Sequence, residues 1–445
     1  MRRIYIALIT IITAATGATA QEKQAAQLSL QNCIDYAMVH GASAKNTQLD
    51  ILIQQAQNNQ TLALAMPKVS AKAEFDDFIR PQSSFLNAKI FGGPDAITAV
   101  ALSVPYAASV GVSASQIIFD GSVLVALQAR KMSLQLAEQN SKTVKDNIKY
   151  NISKAYYVLA VAYKQREILA KSLVTGRSML HELDVTYQNG LVEKIDLERS
   201  SVQINNLQND SATLENGIKL YEYSLKFQMG MDINAPIFLT DTSMEQHTTT
   251  SAALLLEGDN YERVPEYQIL NTVKTLNEYN VRRYKLAALP SLVAFGAYGT
   301  NYGSDKFNDM FKFKKYESNS TAGLQLNIPI FSGFQRVNQV REAKLNVEKT
   351  NNNIENLKLN IDFMASQARG SLKNSLLQLQ SQKRNLELAD DVVDLAQKKY
   401  KAGVGSNLEV TSAQSEQLKA LNSYISTLLN IINAEVDLKK ALGLL

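Results

Sequence analysis

Hydrophobic positions in two long stretches of the chain repeat with the period of a coiled coil. In the later stretch the steps alternate between three and four residues and average about 3.5. This row of apolar and small residues, called the seam below, begins at Ile354 and ends at Tyr400. Its members are Ile354, Leu357, Ile361, Ala365, Ala368, Leu372, Leu376, Leu379, Lys383, Leu386, Ala389, Val393, Ala396 and Tyr400. The earlier stretch repeats the pattern from Ile148 to Tyr187, with interruptions at Arg166 and Gly176. Both stretches are therefore predicted to be long helices.

Each predicted helix ends at a glycine, after which the helical pattern resumes. The first ends at Tyr187-Gln188-Asn189-Gly190-Leu191 and the second at Tyr400-Lys401-Ala402-Gly403-Val404-Gly405. Glycine just past the last helical turn is a common stop signal. The eight prolines leave both regions uninterrupted. We therefore predict two long helical hairpins, over 120–232 and 332–445, with tips near 189–192 and 402–406.

Four shorter stretches alternate apolar and polar residues, which is the pattern of a strand with two unlike faces. They lie at 69–75, 106–115, 293–297 and 324–330, and the third is the weakest, with Val293, Phe295 and Ala297 as its predicted apolar set. We predict two β-hairpins, at 68–119 and 290–331, with long loops at 77–105 and 301–320. Such strands suit a membrane barrel, with one face toward lipid. Taken alone, the alternation favours a soluble sheet with its apolar face on a core.

The N-terminus has the features of a secretory signal. Met1-Arg2-Arg3 is basic, residues 4–15 are almost all apolar or small, and Ala18-Thr19-Ala20 precedes Gln21. This pattern predicts a signal peptide over 1–20 and an exported protein. Between it and the first hairpin, 21–67 is predicted to be an N-terminal helical segment, and 233–289 is predicted to be a linker and helix between two repeats.

The chain is an internal duplication. Met66-Pro67 corresponds to Leu289-Pro290, and Ile-Phe-Asp-Gly at 118–121 corresponds to Ile-Phe-Ser-Gly at 330–333. Each half then consists of a helix, a β-hairpin and a long helical hairpin, so each copy of the chain has four predicted strands. Single-chain membrane barrels need about eight strands or more. A membrane location would therefore require an oligomer, since two copies supply eight strands and three supply twelve.

Composition excludes several classes of function. Lys and Arg number 46 against 42 Asp and Glu, so a nucleic-acid binder is not expected. One cysteine and three histidines leave little material for a disulfide framework, a metal site or a hydrolase site. A phosphate-binding G-x-x-x-x-G-K-[ST] loop is also missing from the sequence. We therefore predict no catalytic residue, no cofactor and no bound metal.

The order, duplication and spacing of these motifs resemble the TolC-like outer-membrane channel family over essentially the whole mature chain. The resemblance implies a mainly α-helical fold with membrane strands, in which a homotrimer forms a twelve-stranded β-barrel continued by an α-helical barrel. It also implies a cell outer-membrane location with a long periplasmic extension. The implied partners are a periplasmic adaptor protein and an inner-membrane RND or ABC transporter, and the implied role is a passive exit duct for efflux or type I secretion.

The resemblance also suggests roles for residues at the two glycine turns. Gly190, Leu191, Gly403 and Val404 would form the tips that meet the adaptor. Glycine permits the tight reversal of the chain that such a tip needs.

Just beyond the tips, the resemblance implies a periplasmic gate formed by Tyr187, Asp196, Tyr400 and Glu409. Two positions depart from the family pattern, because Ser412 stands where an acid is frequent and Gly405 where a basic linking residue can occur.

Simpler interpretations exist for these residues and for the protein. Asp196 would also stabilise the N-terminus of its helix, and the two tyrosines would also complete the packing of their seams. The alternative for the whole protein is a periplasmic coiled-coil adaptor or structural protein. Adaptors usually carry one hairpin between soluble β-rich domains, whereas two hairpins alternate here with amphipathic strands.

Overall fold

A computed structural model describes residues 26–80, 82–101, 103–240, 251–312 and 316–445. The predicted signal peptide, 1–20, lies outside these residues. No helix in the described part of the chain is both long enough and apolar enough to cross a membrane.

Seven α-helices of eleven residues or more lie among the described residues, and their lengths reproduce the duplication. They are α1 Leu30–His40, α2 Ala42–Ala63, α3 Gly121–Gln188, α4 Lys194–Met229, α5 Pro265–Leu286, α6 Gln335–Lys401 and α7 Asn407–Ala441. Helices α2 and α5 each have 22 residues, α3 and α6 have 68 and 67, and α4 and α7 have 36 and 35. The two predicted helical hairpins are thus α3–α4 and α6–α7.

Eight strands are described, and four of them form one antiparallel sheet. The strands are β1 Ala26–Leu28, β2 Lys68–Asp77, β3 Ser83–Asn87, β4 Ile97–Ala101, β5 Tyr106–Phe119, β6 Ile237–Leu239, β7 Ser291–Ser304 and β8 Glu317–Asn327. The sheet order is β2-β5-β7-β8, so β5 and β7 from the two halves pair in the centre and β2 and β8 are the edges.

The predicted loops of this sheet contain more strand residues than the sequence predicts. The first predicted loop contains the separate β3–β4 hairpin. The second is shorter than predicted, because β7 continues to Ser304 and β8 begins at Glu317.

One face of the sheet is apolar and exposed. Register places Val69 beside Ala114 and Val112 beside Tyr298, and brings Leu324 onto the same face. Val69, Tyr298 and Leu324 are 60% exposed or more, so no layer formed by the described residues covers this face.

The opposite face is polar and includes a contact between the Ser70 and Ser113 hydroxyls at 2.9 Å. Strand β7 corrects one sequence expectation. Phe295 pairs with Ser115 and therefore shares the polar face with Val293 and Ala297, while Leu292 and Ala294 lie on the apolar face. The prediction for this strand was therefore wrong, because it interchanged the apolar and polar faces.

The chain divides into two compact units, and each draws on both halves of the duplication. Unit 1 combines the described part of Met1–Asp50 with Glu138–Ile269 and Ile354–Leu445, and unit 2 combines Ile51–Ala137 with Leu270–Asn353. The two repeats follow one another along the sequence. Each compact unit, in contrast, combines corresponding parts of both repeats.

Unit 1 is built around helix seams. Ile361, Ala365 and Leu372 on α6 are all at most 2% exposed, as the predicted seam requires. The seam departs from prediction at one step, where Gln382 is half-buried and Lys383 is exposed. A larger core joins side chains from α1, α3, α4 and α7, among them Cys33, Tyr156, Leu225 and Ile432.

Unit 2 contains the four-stranded sheet and the helical turns next to it. Asp120, the residue after β5, caps α3 by accepting hydrogen bonds from the backbone amides of Ser122 and Val123 at 2.8 and 3.2 Å. Asp120 of the Ile-Phe-Asp-Gly motif therefore serves as the N-cap of α3. Its counterpart in the second half instead has Gly333 and Phe334 in the left-handed region.

Candidate functional site

The two predicted tips have the same backbone geometry. Gly190 and Gly403 have φ of 73° and 74°. The Gly190 amide donates to the Tyr187 carbonyl at 2.8 Å, and the Leu191 amide donates to the Thr186 carbonyl at 3.1 Å.

The second tip repeats both bonds. The Gly403 amide donates to Tyr400 and the Val404 amide to Lys399, at 3.0 and 3.1 Å. These paired bonds are the Schellman motif, which ends a helix at a left-handed residue. The repeated Tyr-x-x-Gly pattern is thus explained by the glycine that this motif prefers.

Each tip presents one apolar side chain to solvent. Leu191 is 76% exposed and Val404 is 79% exposed. Among the described residues, no atom outside the adjoining residues lies within 4 Å of a Cβ built on either tip glycine. The glycines are therefore required by backbone conformation and not by lack of space.

Gly405 is constrained in another way. A Cβ built there would lie 2.9 Å from Lys399 Cβ and 3.0 Å from the Tyr400 nitrogen. A basic linking residue at this position would therefore need the turn to move.

The two predicted acidic gate residues begin corresponding helices. Asp196 lies in the first turn of α4 and Glu409 in the first turn of α7. Ser406 caps α7 by accepting a hydrogen bond from the Glu409 amide at 3.2 Å, whereas Glu193 at the start of α4 makes no side-chain cap. Both acids are placed where the helix macrodipole favours negative charge.

The two predicted gate tyrosines have different surroundings. Tyr187 is 37% exposed, while Tyr400 is half-buried against a small core formed by Val393, Ala396, Val410 and Ala413. Burial raises the pKa of Tyr400, and the carboxylates of Glu182 and Asp196 add to the rise. The structure therefore brings Tyr400 and Asp196 into one electrostatic environment, contributed by both hairpins.

Asn407 is a residue of this site that the sequence patterns did not indicate. It is 5% exposed, and its Nδ2 donates to Ser200 Oγ at 3.0 Å and to the Asp196 carbonyl at 3.5 Å. These bonds join the start of α7 to the start of α4. Its Oδ1 is buried without a hydrogen-bond partner among the described residues. The duplication offered one clue to Asn407, because the two halves differ at this position. The counterpart of Asn407 in the first half is Lys194, an exposed lysine that pairs with Glu198.

A groove of about 420 Å³ lies in unit 1, between α3, α4, α6 and α7. Its lining mixes apolar, hydroxyl and amide side chains, including Met179, Ser200, Ile204, Val393 and Gln414. Gly176 shapes it, since a Cβ there would lie 2.4 Å from Ile204 Cδ1. The interruption that Gly176 makes in the first seam thus allows α4 to approach α3 closely.

Comparison with known proteins finds similar outer-membrane proteins. The outer membrane efflux protein family matches residues 276–444. A probable efflux pump outer membrane protein of Pseudomonas putida, TtgC, is 21% identical over 419 residues, which are 93% of this chain and 83% of TtgC. The outer membrane protein TolC of Escherichia coli is 21% identical over 354 residues, 76% of this chain and 70% of TolC.

A solved structure has the same fold. The outer membrane protein VceC of Vibrio cholerae superposes with a TM-score of 0.70 at 16% identity, covering 93% of this chain and 96% of that one. The fold is thus one found in outer-membrane channels. The chain is similar in sequence and in fold to TolC-like outer membrane efflux proteins, which confirms the resemblance predicted from its motifs.

Proposed function

We propose that this protein is an outer-membrane exit duct, a passive channel that serves a tripartite efflux pump or a type I secretion system. In this proposal three copies assemble, and their four-stranded sheets close a twelve-stranded barrel in the outer membrane. The helical hairpins continue the duct into the periplasm. The descriptions of TtgC as an efflux pump protein and of TolC as an outer membrane protein support this assignment.

The observation that carries the proposal is the uncovered sheet. Its apolar face is exposed at Val69, Tyr298 and Leu324, and its edge strands β2 and β8 have no outer partner among the described residues. An apolar bilayer stabilises such a face but does not tolerate open edges, because unpaired backbone groups there cost several kcal/mol each. Pairing β2 of one copy with β8 of the next satisfies both requirements.

The tips are the proposed docking points for the periplasmic adaptor. Leu191 and Val404 expose apolar surface at the two turns, and the groove between the four helices is lined by the same two hairpins. An adaptor hairpin could contact both surfaces at once, as an amphipathic helix does in an apolar groove. The inner-membrane transporter, of RND or ABC type, would supply the energy.

The gate is proposed to lie where the two hairpins meet. Asp196 and Glu409 would place two acidic groups per copy at the entrance, with Tyr187 and Tyr400 beside them. Three copies would concentrate negative charge there, so cations and salt would affect opening. Asn407 would hold the second hairpin against the first in the closed state.

Two measurements test this function. Light scattering of the detergent-purified protein should give the mass of a trimer, and planar bilayers should show small closed-state conductance that rises in an Asn407→Ala variant. A dimer would contradict the twelve-stranded barrel. A monomer that stays soluble without detergent, with no conductance in any tip variant, would favour the periplasmic adaptor instead.

A further inference from the structure

A second cavity, of about 380 Å³, lies in unit 2 between α2, α3 and α5. Its charged lining residues are Arg130 and Arg283, and no aspartate or glutamate lines it. Amide and hydroxyl groups from the three helices complete the wall, including Gln54, Asn58, Ser133 and Asn280. The cavity is therefore a concave polar site with two positive charges and no acid.

The backbone carbonyl of Arg130 is bonded to a neighbouring helix, whereas the Nε–H of its guanidinium is free to bind a ligand. Its carbonyl accepts a hydrogen bond from Asn58 Nδ2 at 2.9 Å, and Asn58 Oδ1 in turn accepts one from Gln54 Nε2 at 3.2 Å. Arg130 Nε is removed from solvent and has no hydrogen-bond partner within the described part of the chain. A buried donor without a partner is unfavourable, so an acceptor here would be stabilising.

Arg283 faces the same cavity from α5. Its Nη2 donates to Tyr284 Oη at 3.1 Å, and its guanidinium lies 4.9 Å from the centre of that ring. Stacking on a ring fixes the plane of the guanidinium and leaves further N–H groups free to donate. Across the described ranges neither Arg130 nor Arg283 has a carboxylate within 4.0 Å.

The surrounding sequence leaves the positive charge of the cavity uncompensated on one side and adds to it on another. Helix α2 and the turn after it carry no charged residue from Ile51 to Pro67, while α5 ends in Arg282, Arg283 and Lys285. The planar guanidinium fork matches the oxygens of a phosphate group, which it binds through paired hydrogen bonds. We propose that this cavity binds a phosphate group, either as inorganic phosphate or as the phosphodiester of an anionic lipid headgroup.

Both sources of phosphate are compatible with the position of the cavity in the chain. Its three helices connect directly to the sheet, since α2 ends at Ala63 before β2, α3 follows β5 at Gly121, and α5 ends at Leu286 before β7. The lipid source rests on the proposed function, because only a membrane-inserted sheet brings headgroups to this level. The inorganic source does not depend on it.

Direct binding to the purified full chain tests the proposal. Equilibrium dialysis at constant ionic strength measures [³²P]orthophosphate, and native mass spectrometry measures retention of dioleoylphosphatidylglycerol against dioleoylphosphatidylcholine. We expect one of the two phosphate probes to bind, and Arg130→Gln and Arg283→Gln each to weaken it about tenfold or more, as the loss of a charge-assisted hydrogen bond would. Arg282→Gln, the exposed neighbour, is the matched control and should bind like the original protein.

The outcomes are distinct. Orthophosphate binding that depends on both arginines assigns the site to a soluble anion, and selective retention of phosphatidylglycerol assigns it to the lipid headgroup. If neither probe binds, or if both glutamine variants bind as tightly as the control, the proposal is overturned. Should Arg130→Gln not assemble, Arg130→Lys keeps the charge and should retain measurable binding. Conductance plays no part in these readouts, so failure here is separable from failure of the exit duct.

Discussion

Asn407 Nδ2 and Ser200 Oγ are 3.0 Å apart, and this bond joins the second arms of the two helical hairpins. Asn407 is buried while the corresponding residue of the first half, Lys194, is exposed, so the two repeats have diverged at this point. The bond therefore exists once per chain. It is a buried polar link between the hairpins near the proposed gate.

Asn407→Ala is expected to favour opening of the gate. A net hydrogen-bond contribution of about 0.5–1.5 kcal/mol corresponds to an open probability roughly two- to tenfold higher. Single-channel recording in planar bilayers measures it. Lys194→Ala, at the corresponding exposed position, is the control, and equal effects of the two substitutions would show that the bond does not hold the gate.

Gly190→Ala is expected to loosen the first tip. The left-handed φ of 73° costs an alanine about 1 kcal/mol, so the Leu191 amide should exchange its hydrogen roughly fivefold faster. Gly370→Ala, within α6, is the control because it has open space and an ordinary helical φ, and it should stabilise its helix slightly. Hydrogen exchange measured by mass spectrometry would contradict the prediction if both variants changed in the same direction.

Leu324→Arg is expected to block membrane assembly, whereas Gln325→Arg is expected to permit it. The two residues are neighbours in β8 but point to opposite faces of the sheet. An arginine facing lipid near the bilayer centre costs about 2–4 kcal/mol, and one facing a polar lumen costs much less. The amount of trimer in the outer-membrane fraction measures the difference, and equal loss in both variants would argue against a lipid-facing apolar surface.

Tyr163 is expected to make the protein less stable at alkaline pH. Burial raises its pKa, and its 2.7 Å hydrogen bond to the Glu222 carboxylate raises it further. Above pH of about 10 the unfolded chain loses this proton first. The free energy of unfolding should therefore fall by up to about 1.4 kcal/mol per pH unit until the folded tyrosine also ionises.

Tyr163→Phe should reduce that slope in unfolding titrations followed by circular dichroism between pH 9 and 11.5. Tyr221→Phe, at an exposed position of α4, is the control. A slope that survives in Tyr163→Phe would assign the alkaline instability to other groups.

Cys33 is expected to be unreactive in the folded protein. Its side chain is fully buried, and burial raises the pKa of its thiol to about 12. At pH 8 only about one molecule in 10⁴ would carry the reactive thiolate. Maleimide labelling should therefore occur only after unfolding, while an added Leu191→Cys at the exposed tip should react at once. Rapid labelling of the native protein would mean that the α1 region opens readily.

Regular periodicity made most of this fold predictable. The seam of α6 follows from residue spacing, because each three- or four-residue step returns to the same face of a helix. The single misplaced step, Lys383 for Gln382, occurs where no apolar residue marks the face. The assignment of β7 residues to the two faces of the sheet was wrong for a related reason. Phe295 is apolar yet packs over Gly323 on the polar side, so the composition of β7 gives little contrast between its faces.

The candidate site was predictable only in part. The tips follow from local chemistry, since a left-handed helix end prefers glycine wherever it occurs. Asn407 depends on Ser200, which is distant in sequence, and no local pattern encodes such a pairing. The roles of Asp196, Glu409, Tyr187 and Tyr400 in gating stay predictions.

Each of the two units is built from segments that are distant in sequence, and this determines when the chain can fold. The core of unit 1 packs Leu28, in the first strand, together with Ile432 and Val436 in the last helix. The central pair of the sheet in unit 2 joins β5 to β7 from the other half. A chain that crosses the inner membrane N-terminus first can therefore complete unit 2 only after residues up to Asn353 have emerged, and unit 1 only after its last helix has emerged. During that interval it exposes apolar helix and strand surfaces, so its export depends on protection from aggregation.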